Sequence, residues 1–479
     1  MDKASIIASC YQYTPTSEQL DFCMEIADFL SDQLDGQCFI LRGYAGTGKT
    51  TSVGALVKAL SRFGLRSILL APTGRAAKVM SNYTGRKALT IHKKIYRKRS
   101  AVGVDMAFQL APNLSEHTLF IVDEASMIAD EWNVQSGSSL LKDLMQFVYN
   151  KKNCAVVFVG DTAQLPPVGS IDSPALNADH MKGNFSVSVR SIELKEVVRQ
   201  EKKSGILANA TMLRKLIEDK EEGPEEEAVV LPKFLTQNFR DIFRMTGLKL
   251  VEGLEYAYHK FGIENTLVVC RSNKSANVYN QQIRTRLLYR EEELTGGDQV
   301  MVVRNNYFWL PDNESAAFIA NGDMARVVRV RRTEERYGFR FCEVNLEFMD
   351  FPDAGVITCK VMLDTLTSES PNLSSEQGNK LFEGLNEDYS HIGNKRERYQ
   401  AIKEDPYYNA LQIKFAYAVT CHKAQGGQWD AVFVDQGYLT DDMVDLDFLR
   451  WLYTGVTRAK RELFLVNFAR NLFSSPEED

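Results

Sequence analysis

Short apolar runs separated by polar and glycine-rich stretches set the pattern of the first two hundred residues. Cys38–Leu41, Leu119–Val122 and Ala155–Val159 are each too short for a helix and too uniformly apolar for a half-exposed strand, so they predict buried parallel strands. Thr51–Leu60 has the length and composition of a helix following the first of them. This alternation of strand and helix predicts an α/β fold over about residues 1–205. It is interrupted over 86–116 by a basic stretch and then by Ala101–Phe108, which reads as a short hairpin turning near Gly103.

The pattern resumes with Thr266–Cys270, a buried strand that runs into polar Arg271-Ser272-Asn273-Lys274, and closes with Ala431–Val434 and Leu463–Val466. Between about 318 and 415 it changes character. Met324–Arg331, Phe339–Phe348 and Gly355–Leu363 alternate and are β-branched, as in a small antiparallel barrel, and Asn379–Glu404 is charged and helical in pattern. No internal repeat stands out.

The polar ends of the strands carry the candidate chemistry. After Leu41 comes Gly43-Tyr44-Ala45-Gly46-Thr47-Gly48-Lys49-Thr50, with Thr51 opening the helix. Glycines at this spacing let backbone N–H groups turn inward around a polyphosphate, Lys49 can reach the β and γ phosphates, and the Thr50 hydroxyl can hold Mg²⁺. The sequence therefore predicts binding and hydrolysis of a nucleoside triphosphate with Mg²⁺. Asp123-Glu124 follows Val122 at a strand end, where open α/β sheets place ligands. Asp123 is the second candidate for Mg²⁺ and Glu124 the candidate base for the attacking water. Gln164, beyond the strand Ala155–Val159 in a segment ending Leu165-Pro166-Pro167-Val168-Gly169, is a candidate γ-phosphate sensor.

Composition adds exclusions more than assignments. The chain has 479 residues, 44% apolar and 25% charged, which predicts more than one soluble domain. No apolar run approaches the eighteen or so residues that span a bilayer, and Met1–Thr16 lacks the layout of a secretory signal, so the expectation is a cytoplasmic protein with no membrane partner. The eight cysteines are scattered without a Cys-x-x-Cys, so reduced buried thiols are expected rather than disulfides or zinc. Net charge is −6, but Arg86–Arg99 holds seven Lys and Arg in fourteen positions, the electrostatic footprint of a nucleic-acid contact or else a solvated surface. Glu218–Glu227, with seven acids in ten positions around Gly223-Pro224, reads as an exposed loop.

Gly160-Asp161-Thr162-Ala163-Gln164-Leu165-Pro166-Pro167-Val168-Gly169 resembles motif III of superfamily 1 helicases of the RecD and Dda type, and further motifs of that family follow in order across nearly the whole chain. Ser17-Glu18-Gln19 resembles the Q motif, which makes Gln19 the adenine-binding candidate. Leu69–Ala77, with Pro72 and Thr73, resembles motif Ia, and Thr90-Ile91-His92-Lys93 the neighbouring Thr-x-His element; both contact single strands in the family. Taken alone, Thr73 reads equally as a helix cap and His92 as a core residue. Glu193–Gln200 resembles the motif IV region, with Arg199 as a candidate arginine finger. Ala418–Gly426 resembles motif V, bringing Thr420, His422 and Lys423 to the nucleic acid and Gly426 to the nucleotide. Tyr453–Ala459 resembles motif VI, with Arg458 as a second finger. After Gly426 the chain departs from the family, reading Gly427-Gln428-Trp429 where a small hydroxylated residue is usual; Trp429 is expected to be packed.

The resemblance implies two RecA-like parallel-sheet P-loop domains. The first comprises 1–85 and 117–205, with a pin insertion at 86–116 in which Phe108 is a candidate stacking residue. The second comprises 206–317 and 416–479, with Asn273 touching phosphate and an SH3-like barrel inserted at 318–415. It also implies an ATP-dependent helicase moving 5′→3′ on single-stranded DNA and opening single-strand/duplex junctions. A monomer in a bacterial nucleoid or encoded by a phage, with repair or replication partners, completes that expectation. Two alternatives stay open: an RNA helicase of the same superfamily, and an ATP-gated nucleic-acid-binding subunit without unwinding activity.

Overall fold

A computed structural model describes residues 2–97, 109–131, 138–198, 204–224, 229–310, 319–349, 355–440 and 443–474. The first half is built on a six-stranded sheet of β1 (Gln37–Gly43), β2 (Arg66–Ala71), β3 (Ala88–Thr90), β6 (Thr118–Val122), β7 (Cys154–Gly160) and β8 (Ser188–Leu194). Its order is β3-β2-β6-β7-β1-β8 and every pairing is parallel. All residues of β6 and β7 are buried, as parallel strands covered on both faces require. Successive residues feed opposite cores: Phe39, Leu41, Ile121 and Val157 join one face, while Ile40, Phe120, Val156 and Phe158 join the other.

The two-residue strands β4 (Tyr96–Arg97) and β5 (Gln109–Leu110) pair antiparallel and bracket 98–108. The expected hairpin itself and Phe108 lie outside the described residues.

The second half repeats the plan with β9 (Ile242–Met245), β10 (Thr266–Cys270), β16 (Ala418–Thr420), β17 (Trp429–Asp435) and β18 (Ala459–Val466), ordered β16-β10-β17-β18-β9 and again parallel. Between β10 and β16 in sequence, a closed five-stranded barrel forms from β11 (Gln299–Val302), β12 (Met324–Arg336), β13 (Phe339–Phe348), β14 (Val356–Met362) and β15 (Leu411–Phe415). The barrel thus starts at Gln299, ahead of the boundary read from sequence, because β11 is a short apolar run with no alternation to mark it. Helices Ser375–Asp388 and Lys395–Lys403 pack on it through Leu381, Leu385 and Ile402 around Phe339 and Phe341.

One expectation fails in part: the acidic run is exposed at Asp219, Glu221 and Glu222, yet its first residues are helical. Residues 218–222 of the acidic run are no loop but the last turns of helix Gly205–Glu222, where Glu221 accepts a hydrogen bond from Arg450 at 2.7 Å. Acids of this density continue a helix when basic or apolar neighbours on another element offset them.

Candidate nucleotide site and nucleic-acid interface

The phosphate loop leaves β1 and enters helix Lys49–Leu60, whose N-cap Gly48 has φ 84°. Gly46 (φ 78°) and Gly48 supply the left-handed backbone that turns N–H groups inward. A Cβ at Gly48 would lie 2.2 Å from Gln19 Nε2, so the second glycine is needed for close approach as well. Gln19 is 4% exposed and engaged at both ends: Oε1 accepts from Thr16 N at 3.0 Å in a capping box, and Nε2 donates to Thr47 O at 3.3 Å. It therefore braces the loop from helix Ser17–Phe29. Lys49 Nζ donates to Gly43 O and Tyr44 O at 2.6 and 2.9 Å and lies 3.8 Å from Asp161 Oδ2. Thr50 and Thr51 are exposed on the first turn of the helix.

Asp123 sits at the end of β6. Its Oδ2 accepts from Tyr83 OH at 2.7 Å and its Oδ1 from Glu124 N at 2.9 Å, which fixes the carboxylate. Each oxygen keeps lone-pair capacity for a cation. Glu124 adopts φ 53°, a left-handed conformation in a non-glycine residue of the kind that collects at functional sites. Burial pushes both carboxyls up, and for Glu124 the Arg458 guanidinium opposes that push. A carboxylate raised by burial is better matched to proton abstraction near neutral pH than an ordinary one.

Beyond β7, Gln164 is 6% exposed and its Oε1 is buried without a hydrogen-bond partner among the described residues. A buried acceptor left unpaired costs about 1–3 kcal/mol. A water or protonated phosphate oxygen would satisfy it, so the residues present fit a nucleoside triphosphate.

The second half closes onto these elements. Leu165 N donates to Thr454 Oγ1 at 2.9 Å, Gln425 Nε2 to Leu165 O at 2.7 Å, and Ala45 N to Tyr453 OH at 2.8 Å. Arg458 is 3% exposed; its guanidinium donates to Thr454 O, Gly427 O and Thr457 Oγ1, so it is held inside its own half. Arg199 lies outside the described residues. Gly426, φ 70°, packs so closely on Thr73 and Ala76 that a Cβ would meet their side chains at 3.2 and 3.0 Å. Trp429 is packed, as expected, with Arg75 stacked over its ring at 3.9 Å. Arg75 also donates to Gln428 O at 3.3 Å.

The candidate nucleic-acid residues lie at strand ends and helix starts of both sheets. Thr73 and Thr90 cap helices Gly74–Thr84 and Ile91–Ile95, accepting from Ala76 N and Lys93 N at 3.2 Å each. Pro72 is half-buried beside Thr73, and Asn273 opens helix Asn273–Gln282 behind its cap Ser272. Burial drives His92 down to about 4 and Lys93 down to about 8. Thr420 starts helix Cys421–Ala424 with no side-chain cap, His422 is exposed, and Lys423 is pushed down to about 8, chiefly by burial.

Comparison with known proteins bears on this geometry. A profile described as an AAA domain matches residues 26–226, and one described as a UvrD-like helicase C-terminal domain matches 415–466. The ATP-dependent DNA helicase dda of Enterobacteria phage T4 is 24% identical over 89% of this chain and 93% of its own length. The chain is thus similar over most of its length to an ATP-dependent DNA helicase and matches both domain profiles. The ATP-dependent RecD2 DNA helicase of Deinococcus radiodurans is 33% identical over 37% of this chain, a segment covering 22% of that longer relative. An uncharacterized mimivirus protein, R530, is 22% identical over 94% of the chain and 98% of its own length. The Bacteroides Pif1 helicase in complex with ADP-AlF3 and ssDNA superposes with TM-score 0.48 at 15% identity, over 97% of this chain and 95% of that one.

Three residues bonded to the candidate site escaped the sequence reading. Tyr83, Arg75 and Tyr453 act through contacts made only when distant segments meet. Tyr453 alone had a local signal, since it opens the segment Tyr-Thr-Gly-Val-Thr-Arg-Ala. Among the described residues no helix is long and apolar enough to cross a membrane.

Proposed function

We propose that the chain is a DNA-stimulated ATPase that translocates on single-stranded DNA, 5′→3′, and separates duplex strands. The observation that carries this reading is that Lys49, Asp123–Glu124 and Gln164 of the first half meet Gln425 and the Tyr453–Arg458 segment of the second in one cleft, with Arg458 close enough to act electrostatically on Glu124. In this reading Lys49 and the loop amides hold the phosphates, and Thr50 and Asp123 hold Mg²⁺, which neutralises charge on the phosphates when bound. Glu124 takes a proton from water, and Gln164 orients that water. Arg458 stabilises the charge that develops on the γ-phosphate once it swings from Thr454 and Gly427. Arg199 is the second arginine of the proposal, and Gln19 and Gly426 complete the nucleotide contacts.

Because the site is complete only when both halves engage, turnover opens and closes the cleft. The residues at Thr73, Thr90 and Lys93 lie on one half, and those at Asn273, Thr420 and Lys423 on the other, so each cycle shifts one grip past the other. Contacts of this kind go to backbone phosphate and carry no sequence preference. The partition into two ATPase domains with insertions at 86–116 and within 299–415, monomeric action and replication or repair partners belong to the same proposal.

Steady-state ATP hydrolysis with and without an unstructured DNA oligonucleotide, with Lys49→Ala as the blank, tests it. Stimulation of tenfold or more, about 1.4 kcal/mol of barrier lowering, is the expected result. Activity indifferent to DNA but raised by RNA would replace the substrate, and activity raised by neither would point to a protein-controlled clamp.

A further inference from the structure

Tyr453 lies on helix Leu446–Val456 of the second half, yet its hydroxyl does its bonding entirely in the first. It accepts from Ala45 N of the phosphate loop at 2.8 Å and donates to Asp161 Oδ2 at 2.7 Å. The side chain is 1% exposed and Asp161 is also 1% exposed, so neither has water as an alternative partner. Asp161 Oδ1 is taken by Ala163 N at 3.0 Å. Oδ2 therefore has two donors within reach, Tyr453 OH and, at 3.8 Å, Lys49 Nζ.

Those two donors differ in what ATP asks of them. Lys49 rests on Gly43 O and Tyr44 O beside Asp161, and to meet a β or γ phosphate it must turn away from all three. A buried carboxylate stripped of its cation is costly unless another donor remains. Tyr453 is that donor, and burial beside Asp161 drives its phenol far above the usual range, so it keeps its proton.

We propose that Tyr453 is a positioning residue supplied by the second half: it fixes the phosphate loop through Ala45 and holds the Asp161 carboxylate when Lys49 is released to a nucleotide phosphate. Nucleotide affinity in the first half thereby depends on docking of the second half's helix. The inference rests on the ATPase reading for its nucleotide step but not for the loop contact.

The test is a double-mutant cycle on the full-length chain. Tyr453→Phe keeps the ring in place and removes the hydroxyl, and should raise the ATP KM at least tenfold. In an Asp161→Asn background there is no charge to hold, so adding Tyr453→Phe should change KM by less than about threefold; such non-additivity marks direct coupling. Thr454→Val cuts a different bond of the same helix, to Leu165 N beyond β7, and should act equally in both backgrounds. Equal effects of Tyr453→Phe in both backgrounds, or the same background dependence for Thr454→Val, would reduce Tyr453 to ordinary packing and overturn the proposal. Hydrogen exchange without nucleotide separates this inference from the parent reading. Tyr453→Phe should accelerate exchange at the Ala45 amide whether or not the protein hydrolyses ATP, and unchanged exchange there defeats the loop contact.

Discussion

Two tetrapeptides of nearly the same sequence end the edge strands of the two sheets: Thr90-Ile91-His92-Lys93 after β3 and Thr420-Cys421-His422-Lys423 after β16. Each edge strand lies beside a strand that itself ends in a capped helix, β2 with Thr73 and β10 with Ser272. The molecule thus contains a structural repeat that its sequence conceals, because the sixteen residues between β2 and β3 correspond to 147 residues, barrel included, between β10 and β16. The two copies are not equivalent. Thr90 spends its hydroxyl on Lys93 N, and His92 is half-buried beside Tyr96; Thr420 makes no cap, and His422 is exposed. One copy ties its threonine into a helix cap; in the other the threonine makes no cap, which on the proposed function leaves its hydroxyl for a phosphate oxygen.

The widest gap between the copies should open at Asp298, which supports only the second. Its carboxylate, fully buried, takes Arg284 at 3.0 Å, Arg290 at 2.8 Å and Tyr417 OH at 2.8 Å, and Tyr417 lies three residues before Thr420. Asp298→Ala strands a buried guanidinium and should cost about 3–5 kcal/mol. Scanning calorimetry should show the second half's transition displaced downward with the first half's unmoved; an unshifted profile would deny the hub its role.

The lysines test what the copies share. Burial holds Lys93 and Lys423 near 8, against about 10.4 for a free side chain. Both must be charged to meet phosphate, so oligonucleotide affinity should fall as pH rises from 7 to 9, by up to tenfold per lysine per unit above 8. Stability without DNA runs the other way: between pH 8 and 10 the unfolded chain binds more protons than the folded one, and stability rises with pH. Replacing either lysine by alanine should weaken binding about tenfold and lower the salt slope by about 0.7. A pH-independent affinity up to pH 9 would remove both from the contact. The smallest effect separates the threonines: Thr90→Val should lose about 1 kcal/mol of stability with its cap, read as a lower Tm, whereas Thr420→Val should leave Tm unchanged and weaken DNA binding only.

These asymmetries mark the limit of reading the chain from sequence. The inner strands at Cys38–Leu41, Leu119–Val122, Ala155–Val159, Thr266–Cys270, Ala431–Val434 and Leu463–Val466 and the loop at Gly43–Thr50 were legible because apolar runs of four or five residues between polar or glycine-rich stretches have few alternative folds, whereas the edge strand β8, with its polar residues and partial exposure, gave no such run. The barrel was legible where strands alternate and lost at β11, which does not. Lys49, Asp123 and Gln164 were legible because each lies within six residues of the end of its strand. Tyr453, Tyr83 and Arg75 were not, since a phenol or guanidinium acquires its meaning from a partner on another element, forty residues away for Tyr83 and more than three hundred for Tyr453 on Ala45 and Arg75 on Gln428. The acidic run at 218–222 was misread because its offsetting Arg450 belongs to another element.

The barrel's last strand, β15, ends at Phe415 and β16 begins at Ala418. Ala416 and Tyr417, both buried, are all that separates them, and Tyr417 is moored to Asp298. A linkage this short has no slack: it behaves as the shaft of a lever, with the barrel as handle and Thr420 as tip. Whatever pulls on the barrel, whether a bound protein or a stalled strand, would be felt at the tip as torque rather than absorbed by the chain between.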